Sequence, residues 1–381
     1  MKNNSCILII SIFVIIIASK SQLYSSEDYN ASFIDIKEGK IYYLLFRSRS
    51  KNPNAPLVLW LTGGPGCSSM VANYYENGPL KLDINGKPYI NKYSWNTQVD
   101  LLFVDQPVGT GFSSVKRLQY TRSEDDVAED FYEFLTKFIN NFPGYKDRPF
   151  YVTGESYAGH YIPAISDYII NQKNPVVNLK AIAIGNGLVN AYDQYPAYAT
   201  FAYENNVISP FTYEITKMGF SLCQLLIKYL KPFSMLPCQI PSMMITGITT
   251  SPNFNVYDIR RKCDVPPLCY NFNALNFYLA DKDVRKELNV SRAWWSDCSY
   301  VVHQFLSNDW MTNLTGKVYD LVSKKLNVLV YSGDKDYICN WRGGEAWTNA
   351  MVWPGQKDFV NQKYNDWFFV NDQFQDRKSV V

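Results

Sequence analysis

Histidine is scarce: His160 and His303 are the only two among 381 residues. Chemistry that needs an imidazole has no other source within them. Charge of one sign is lacking too, with 37 Lys and Arg against 35 Asp and Glu and a formal net charge of +2. Without a basic excess to neutralise phosphates, no nucleic-acid partner is expected. No CxxC pair or His/Cys cluster occurs to suggest a metal site, and the chemistry read below requires no metal or organic cofactor. Repeats and low-complexity tracts are absent. The one long apolar run, residues 6–17, is shorter than the roughly 20 residues a membrane span needs. No later stretch approaches that length, so no membrane partner is expected once this run is gone.

What is present is enough apolar material for a large core: 47% hydrophobic residues against 19% charged. Global disorder is excluded on that ratio. Lys2 before the apolar run, with Ala18 and Ser19 after it, gives residues 1–20 the pattern of a secretory signal peptide. That leaves 21–381 as one α/β domain. Beyond the signal peptide, three Asn-X-Ser/Thr sequons, at Asn30, Asn289 and Asn313, fit the secretory route and its glycosylation. The route ends outside the cell or in a lysosome or vacuole. It also permits disulfides. Seven cysteines remain beyond Cys6: 67, 223, 238, 263, 269, 298 and 339. The number is odd, so at least one thiol stays free or pairs between chains, and spacing alone assigns no partners.

Buried strands are predicted at residues 56–61, 101–104, 150–153, 181–184 and 328–331. Between the second and third of these, Val127, Phe131, Phe134, Leu135 and Phe138 recur at helical spacing over 124–140, with acids in the first turn. Apolar, non-alternating strands between helices predict a mostly parallel central sheet covered on both faces. Residues 192–316 break this rhythm. They hold five of the seven cysteines with many Pro and aromatic residues, and read as a cap insertion stapled by disulfides.

Three segments carry chemistry. Gly154-Glu155-Ser156-Tyr157-Ala158-Gly159 follows the strand at 150–153 and precedes a helix. A sharp turn there would lift the Ser156 hydroxyl out at the sheet's C-terminal edge, beside the positive end of the helix. Thr62-Gly63-Gly64-Pro65-Gly66-Cys67-Ser68-Ser69 also follows a strand. It lacks the lysine of a phosphate-binding loop, and suits a donor of backbone N–H to an oxyanion. Ser332-Gly333-Asp334-Lys335-Asp336 follows the last strand, where an acid can orient a catalytic imidazole.

With WNTQVDLLFVDQPVGTGFS, FYVTGESYAGHYIP, AIAIGNGLVN and VLVYSGDKDYICNWRGG, these segments resemble the serine carboxypeptidases of the α/β-hydrolase fold, from Tyr29 to the end of the chain. The resemblance implies Ser156 as nucleophile, Asp336 as triad acid, and the backbone N–H groups of Gly64 and Tyr157 as the oxyanion hole. It implies Glu76 and Glu155, supported by Trp60 and by the position of Thr62, as holders of a substrate's C-terminal carboxylate. Two acids can do this only if crowding and burial keep them protonated, which implies work at acid pH. It also implies the disulfides Cys67–Cys298 and Cys263–Cys269, leaves Cys223 to pair with Cys238, and makes Cys339 a buried free thiol by the active site. The substrate would be a peptide or protein with a free C-terminus.

Two departures qualify that implication. The family's WLNGGPG reads WLTGGPG here, so Thr62 offers one donor where an amide offers two. More importantly, the family's base follows its triad acid, and residues 337–381 contain no histidine. The family's last strand, histidine loop and final helix have no counterpart, which reads as a truncated gene model or variant. His160, one turn into the helix after Ser156, and His303, in the cap, are poor substitutes. An acyltransferase of the same fold and a catalytically dead peptide-binding homologue stand as alternatives.

Overall fold

The computed structural model describes residues 26–247, 251–266 and 269–363. The signal-peptide expectation lies outside them. In chain order the elements are β1 (Tyr29–Asp35), β2 (Gly39–Phe46), β3 (Leu57–Leu61), α1 (Ser69–Tyr75), β4 (Leu80–Leu82), β5 (Pro88–Ile90), β6 (Asp100–Asp105), β7 (Ser114–Val115), α2 (Glu124–Asn141) and β8 (Pro149–Ser156). There follow α3 (Ala158–Ile170), β9 (Asn178–Gly187), α4 (Ala191–Gln194), α5 (Ala197–Glu204), α6 (Pro210–Tyr229) and α7 (Met235–Thr246). The last are α8 (Asn273–Ala280), α9 (Lys282–Glu287), α10 (Tyr300–Leu306), α11 (Thr315–Ser323), β10 (Asn327–Tyr331), α12 (Trp341–Ala350) and α13 (Gln356–Val360). This is the α/β class, with the mostly parallel central sheet that the apolar strands predicted.

The chain divides into two compact units. The first takes residues up to 153, with 172–180 and 271–306. Its strands run β1-β2-β6-β3-β8. The β1–β2 and β2–β6 pairs are antiparallel, and β3–β6 is parallel, with Leu57 opposite Asp100. Every residue of β3 and β6 is buried, as expected of strands covered on both faces. Phe46, Trp60, Phe103, Met70 and Tyr74 pack with Leu279 of α8 in one cluster. Helix α2 forms for legible reasons. Ser123 caps it by accepting from the Asp126 N–H at 3.2 Å, and Glu124, Asp125 and Asp126 meet the positive end of the dipole. Its buried stripe, Val127, Phe131, Phe134, Leu135 and Phe138, sets Phe134 and Phe138 against the ring of Tyr43.

The second unit takes residues 154–171, 181–270 and 307 onward. Here β9 and β10 pair in parallel, Ala181 opposite Asn327 and Gly185 opposite Tyr331. Gly159 in α3 lets helix and strand meet, since a Cβ there would stand 2.5 Å from the Leu188 carbonyl oxygen. Helices α6 and α7 form a hairpin joined by the Cys223–Cys238 disulfide. Cys263–Cys269 closes a short loop of the same unit.

Two expectations need correction. The strand expected over 150–153 continues to Ser156, and its helix starts only at Ala158, because the extended backbone runs on to the turn that Ser156 makes. Strand β10 is not buried: Asn327, Leu329 and Tyr331 are exposed, with half-buried Val328 and Val330 between them. Among the described residues it pairs on one side only, with β9.

Candidate active site

Ser156 ends β8 with a φ of +60°, in the left-handed region that costs a side chain with a Cβ about 1–2 kcal/mol. The conformation is held on both sides. The Ser156 carbonyl accepts from the Leu188 N–H at 3.0 Å. Tyr157, the next residue, is buried, its ring stacked on His160 at 4.7 Å and set against Tyr161 and Trp310. Helix α3 begins one residue later, so its positive end lies beside the turn.

Asp336 stands after β10 in the same unit and is 9% exposed. Asn186, at the end of β9, donates from Nδ2 to Asp336 Oδ2 at 2.7 Å and accepts on Oδ1 from the Gly333 N–H at 3.2 Å. The Cys339 N–H donates to Asp336 Oδ1 at 3.3 Å. Burial pushes the Asp336 carboxyl up to about 7 in spite of these donors, with Glu155 adding a smaller push. The half-buried Cys339 is a free cysteine beside the Ser156 side chain. Burial, then Asp336 and Glu155, hold its thiol well above the usual range, so it stays protonated. The same carboxylates and Cys339 act on Tyr257, whose hydroxyl is raised first by burial.

His160 Nδ1 lies 2.6 Å from the Leu188 carbonyl oxygen, and burial lowers its pKa to about 4. His303 is half-buried in the first unit, held below its ordinary value by burial, with a hydrogen bond to the Pro65 backbone.

The other residues implied at the site lie in the first unit. Trp60, on β3, meets Trp95 edge-on at 5.1 Å. Its Nε1 and the Thr62 hydroxyl are buried with no hydrogen-bond partner among the described residues, a costly state that a polar ligand would relieve. Gly64 has a φ of +113°, and a Cβ there would sit 2.7 Å from the Cys67 nitrogen. Only glycine fits this loop. It is anchored by the Cys67–Cys298 disulfide and by the Ser299 N–H donating to the Gly66 carbonyl at 2.8 Å. Glu76 is the half-buried C-cap of α1.

Sequence reasoning missed Asp105 and Asn186. Asp105 ends β6, fully buried, and accepts from the Ser68 hydroxyl at 2.7 Å, the Ser69 N–H at 2.9 Å and the Phe112 N–H at 2.8 Å. It pins the start of α1 and the Gly111 turn, and burial raises it to about 6. Its signal was an acid ending an apolar strand in front of a Gly-rich turn. Asn186 sits in the Gly-Asn-Gly of AIAIGNGLVN with a φ of +42°. The three sequon residues, Asn30, Asn289 and Asn313, are all exposed.

A serine held left-handed between a strand and a helix, in an α/β chain, defines the class of α/β hydrolases. The narrower assignment rests on comparison. Residues 22–379 match the family model described as serine carboxypeptidase. Serine carboxypeptidase-like 47 of Arabidopsis thaliana is 41% identical over 337 residues, which cover 86% of this chain and 66% of that one. Serine carboxypeptidase 3 of Oryza sativa subsp. japonica is 39% identical over 335 residues, 85% of this chain and 66% of that one. Among solved structures, the prohormone-processing carboxypeptidase Kex1 of Saccharomyces cerevisiae superposes with a TM-score of 0.79 at 26% identity, covering 93% of this chain and 83% of that one. The chain belongs to the serine carboxypeptidase family. It spans just under two thirds of the length of the first two curated relatives.

Proposed function

We propose that the protein is a serine carboxypeptidase of the secretory pathway that releases C-terminal residues from peptides. Ser156 Oγ attacks the last peptide carbonyl while an imidazole takes its proton, and Asp336 orients that imidazole. The oxyanion is received by the Gly64 and Tyr157 N–H groups. The C–N bond breaks as the imidazolium returns the proton to the leaving amine, and water then hydrolyses the Ser156 ester. Glu76, Glu155, Thr62 and Trp60 would bind the substrate's free carboxylate.

The observation that carries this reading is the left-handed Ser156 at a helix N-terminus, with the buried Asp336 and the free Cys339 in the same unit. Within the first unit, the unsatisfied Thr62 hydroxyl and Trp60 Nε1 support a polar ligand beside the Gly-rich loop. The imidazole is the outstanding part. His160 is neutral, packed and tied to Leu188, and His303 lies with the Gly-rich loop. Residues 1–381 alone should therefore bind and react slowly. Losing a triad base costs on the order of 10⁶ in kcat, with roughly 10³–10⁴ over water left to binding and the oxyanion hole.

The carboxylate-holding acids, which must be protonated to donate to a substrate carboxylate, suit an acidic lumen of vacuolar or lysosomal type. Acyl transfer to an alcohol is favoured by one observation, Thr62 in place of an amide, and opposed by retention of Glu76 and Glu155. A fluorophosphonate should label Ser156 alone, as read by intact mass and peptide mapping, and Ser156→Ala should remove the label. Labelling at another serine would defeat the assignment.

A further inference from the structure

The α6–α7 hairpin leaves an apolar face with no partner among the described residues. Helix α6 buries Thr216, Phe220, Cys223 and Ile227. On its other side Phe211, Met218, Leu222, Leu225 and Tyr229 are exposed, Phe211 by 75% and Tyr229 by 68%. At 3.6 residues per turn these five fall within about 60° of one another, a continuous stripe along the helix. Helix α7 buries Cys238, Pro241 and Ile245 and exposes Leu236, Ile240 and Met244 at successive i+4 steps. Phe233, in the turn between them, is 74% exposed. The Cys223–Cys238 disulfide locks the two helices as one hairpin. Scattered exposed apolar residues need no explanation, but two aligned stripes and an aromatic tip do.

Charge identifies the occupant. Residues 215–257 contain no Asp or Glu, but do contain Lys217, Lys228 and Lys231. None of these lysines forms an ion pair among the described residues. Lys217 and Lys228 lie over the rings of Tyr213 and Tyr229, and Lys231 Nζ donates to the Thr312 hydroxyl at 3.0 Å. Long cationic stems beside an apolar stripe reach headgroups while their methylenes cover acyl chains. A second copy of the same face would set lysines against lysines, with Glu214 the one acid on α6 available to offset them.

We propose that this hairpin docks the protein onto an anionic lipid bilayer, lying in the interface without crossing it. Among the described residues no helix is long and apolar enough to cross. The expectation of no membrane partner rested on the lack of a span, which this proposal leaves standing.

The test is co-sedimentation of purified residues 21–381, the chain without its expected signal peptide, with phosphatidylcholine vesicles with and without phosphatidylserine, at low salt. Three lysines near the surface should favour the phosphatidylserine vesicles by about a hundredfold. Lys217→Gln, Lys228→Gln and Lys231→Gln together should erase that preference. Leu222→Glu with Leu236→Glu, both at exposed positions, should abolish binding to either vesicle with the near-UV circular dichroism unchanged. Equal binding to both vesicles, no binding, or a dimer that Leu222→Glu dissociates would each overturn the proposal.

Discussion

At the scale of single residues, the site is built by groups that are costly where they stand. Ser156 is held at a positive φ, and Asp336 keeps a carboxyl that burial pushes up to about 7. Asn186 is what fixes the second of these, because one amide bonds both Asp336 and the Gly333 N–H. Asn186→Ala should cost roughly 2–3 kcal/mol in urea unfolding, from the lost bonds and a φ that alanine tolerates poorly. It should also raise the Asp336 titration midpoint, because a donor to the charged form is gone. Carbon-13 NMR of the Asp336 carboxyl checks this, and an unmoved midpoint would show that Asn186 does not position the acid. Ser156 was legible because strand, small residue, serine and helix stand together in sequence. Asn186 was not, since it meets Asp336 across 150 residues and no local pattern encodes that.

At the scale of elements, what could be read was what depends on neighbours in sequence. Helix α2 declared itself through Ser123, its acidic first turn and its apolar spacing, and ends at Asn141, one residue beyond the expected 140. Phe134, fully buried against Tyr43, Phe131 and Phe138, should cost about 3–5 kcal/mol on truncation to alanine. Guanidinium unfolding of Phe134→Ala reads it, and a loss below about 1 kcal/mol would mean the stripe does not pack as described. Strand β10 shows the opposite case. Its apolar composition suggested burial, but burial is decided by what covers a strand, and Leu329 and Tyr331 remain exposed. Likewise the strand before Ser156 outran its apolar core, because backbone pairing does not need apolar side chains.

For the whole molecule, protonation sets how stability follows pH. Asp105 and Asp336 are raised to about 6 and about 7 by burial, and Asp130 to about 8 by burial and its hydrogen bond to Glu38. A raised carboxylate keeps its proton in the folded chain after the unfolded chain has lost it. Stability therefore falls as pH rises from the unfolded value toward the folded one. His160, lowered to about 4, and His303, also lowered, work the other way, but only below their unfolded value of about 6.5. Between pH 7 and 8.5 the unfolded histidines are mostly neutral and the carboxylates dominate. With Asp130 discounted for its contact with solvent, urea unfolding should show a loss of roughly 0.5–1 kcal/mol across that window; a gain would reverse the sign of the account. The central proposal is that Ser156 is a nucleophile that works with an imidazole, and free imidazole added to the 1–381 protein tests it most directly. Hydrolysis of an activated ester should rise with imidazole well beyond the same reaction of Ser156→Ala. Turnover of peptides at ordinary enzyme rates without imidazole, or equal rates for the two proteins with it, would contradict the claim.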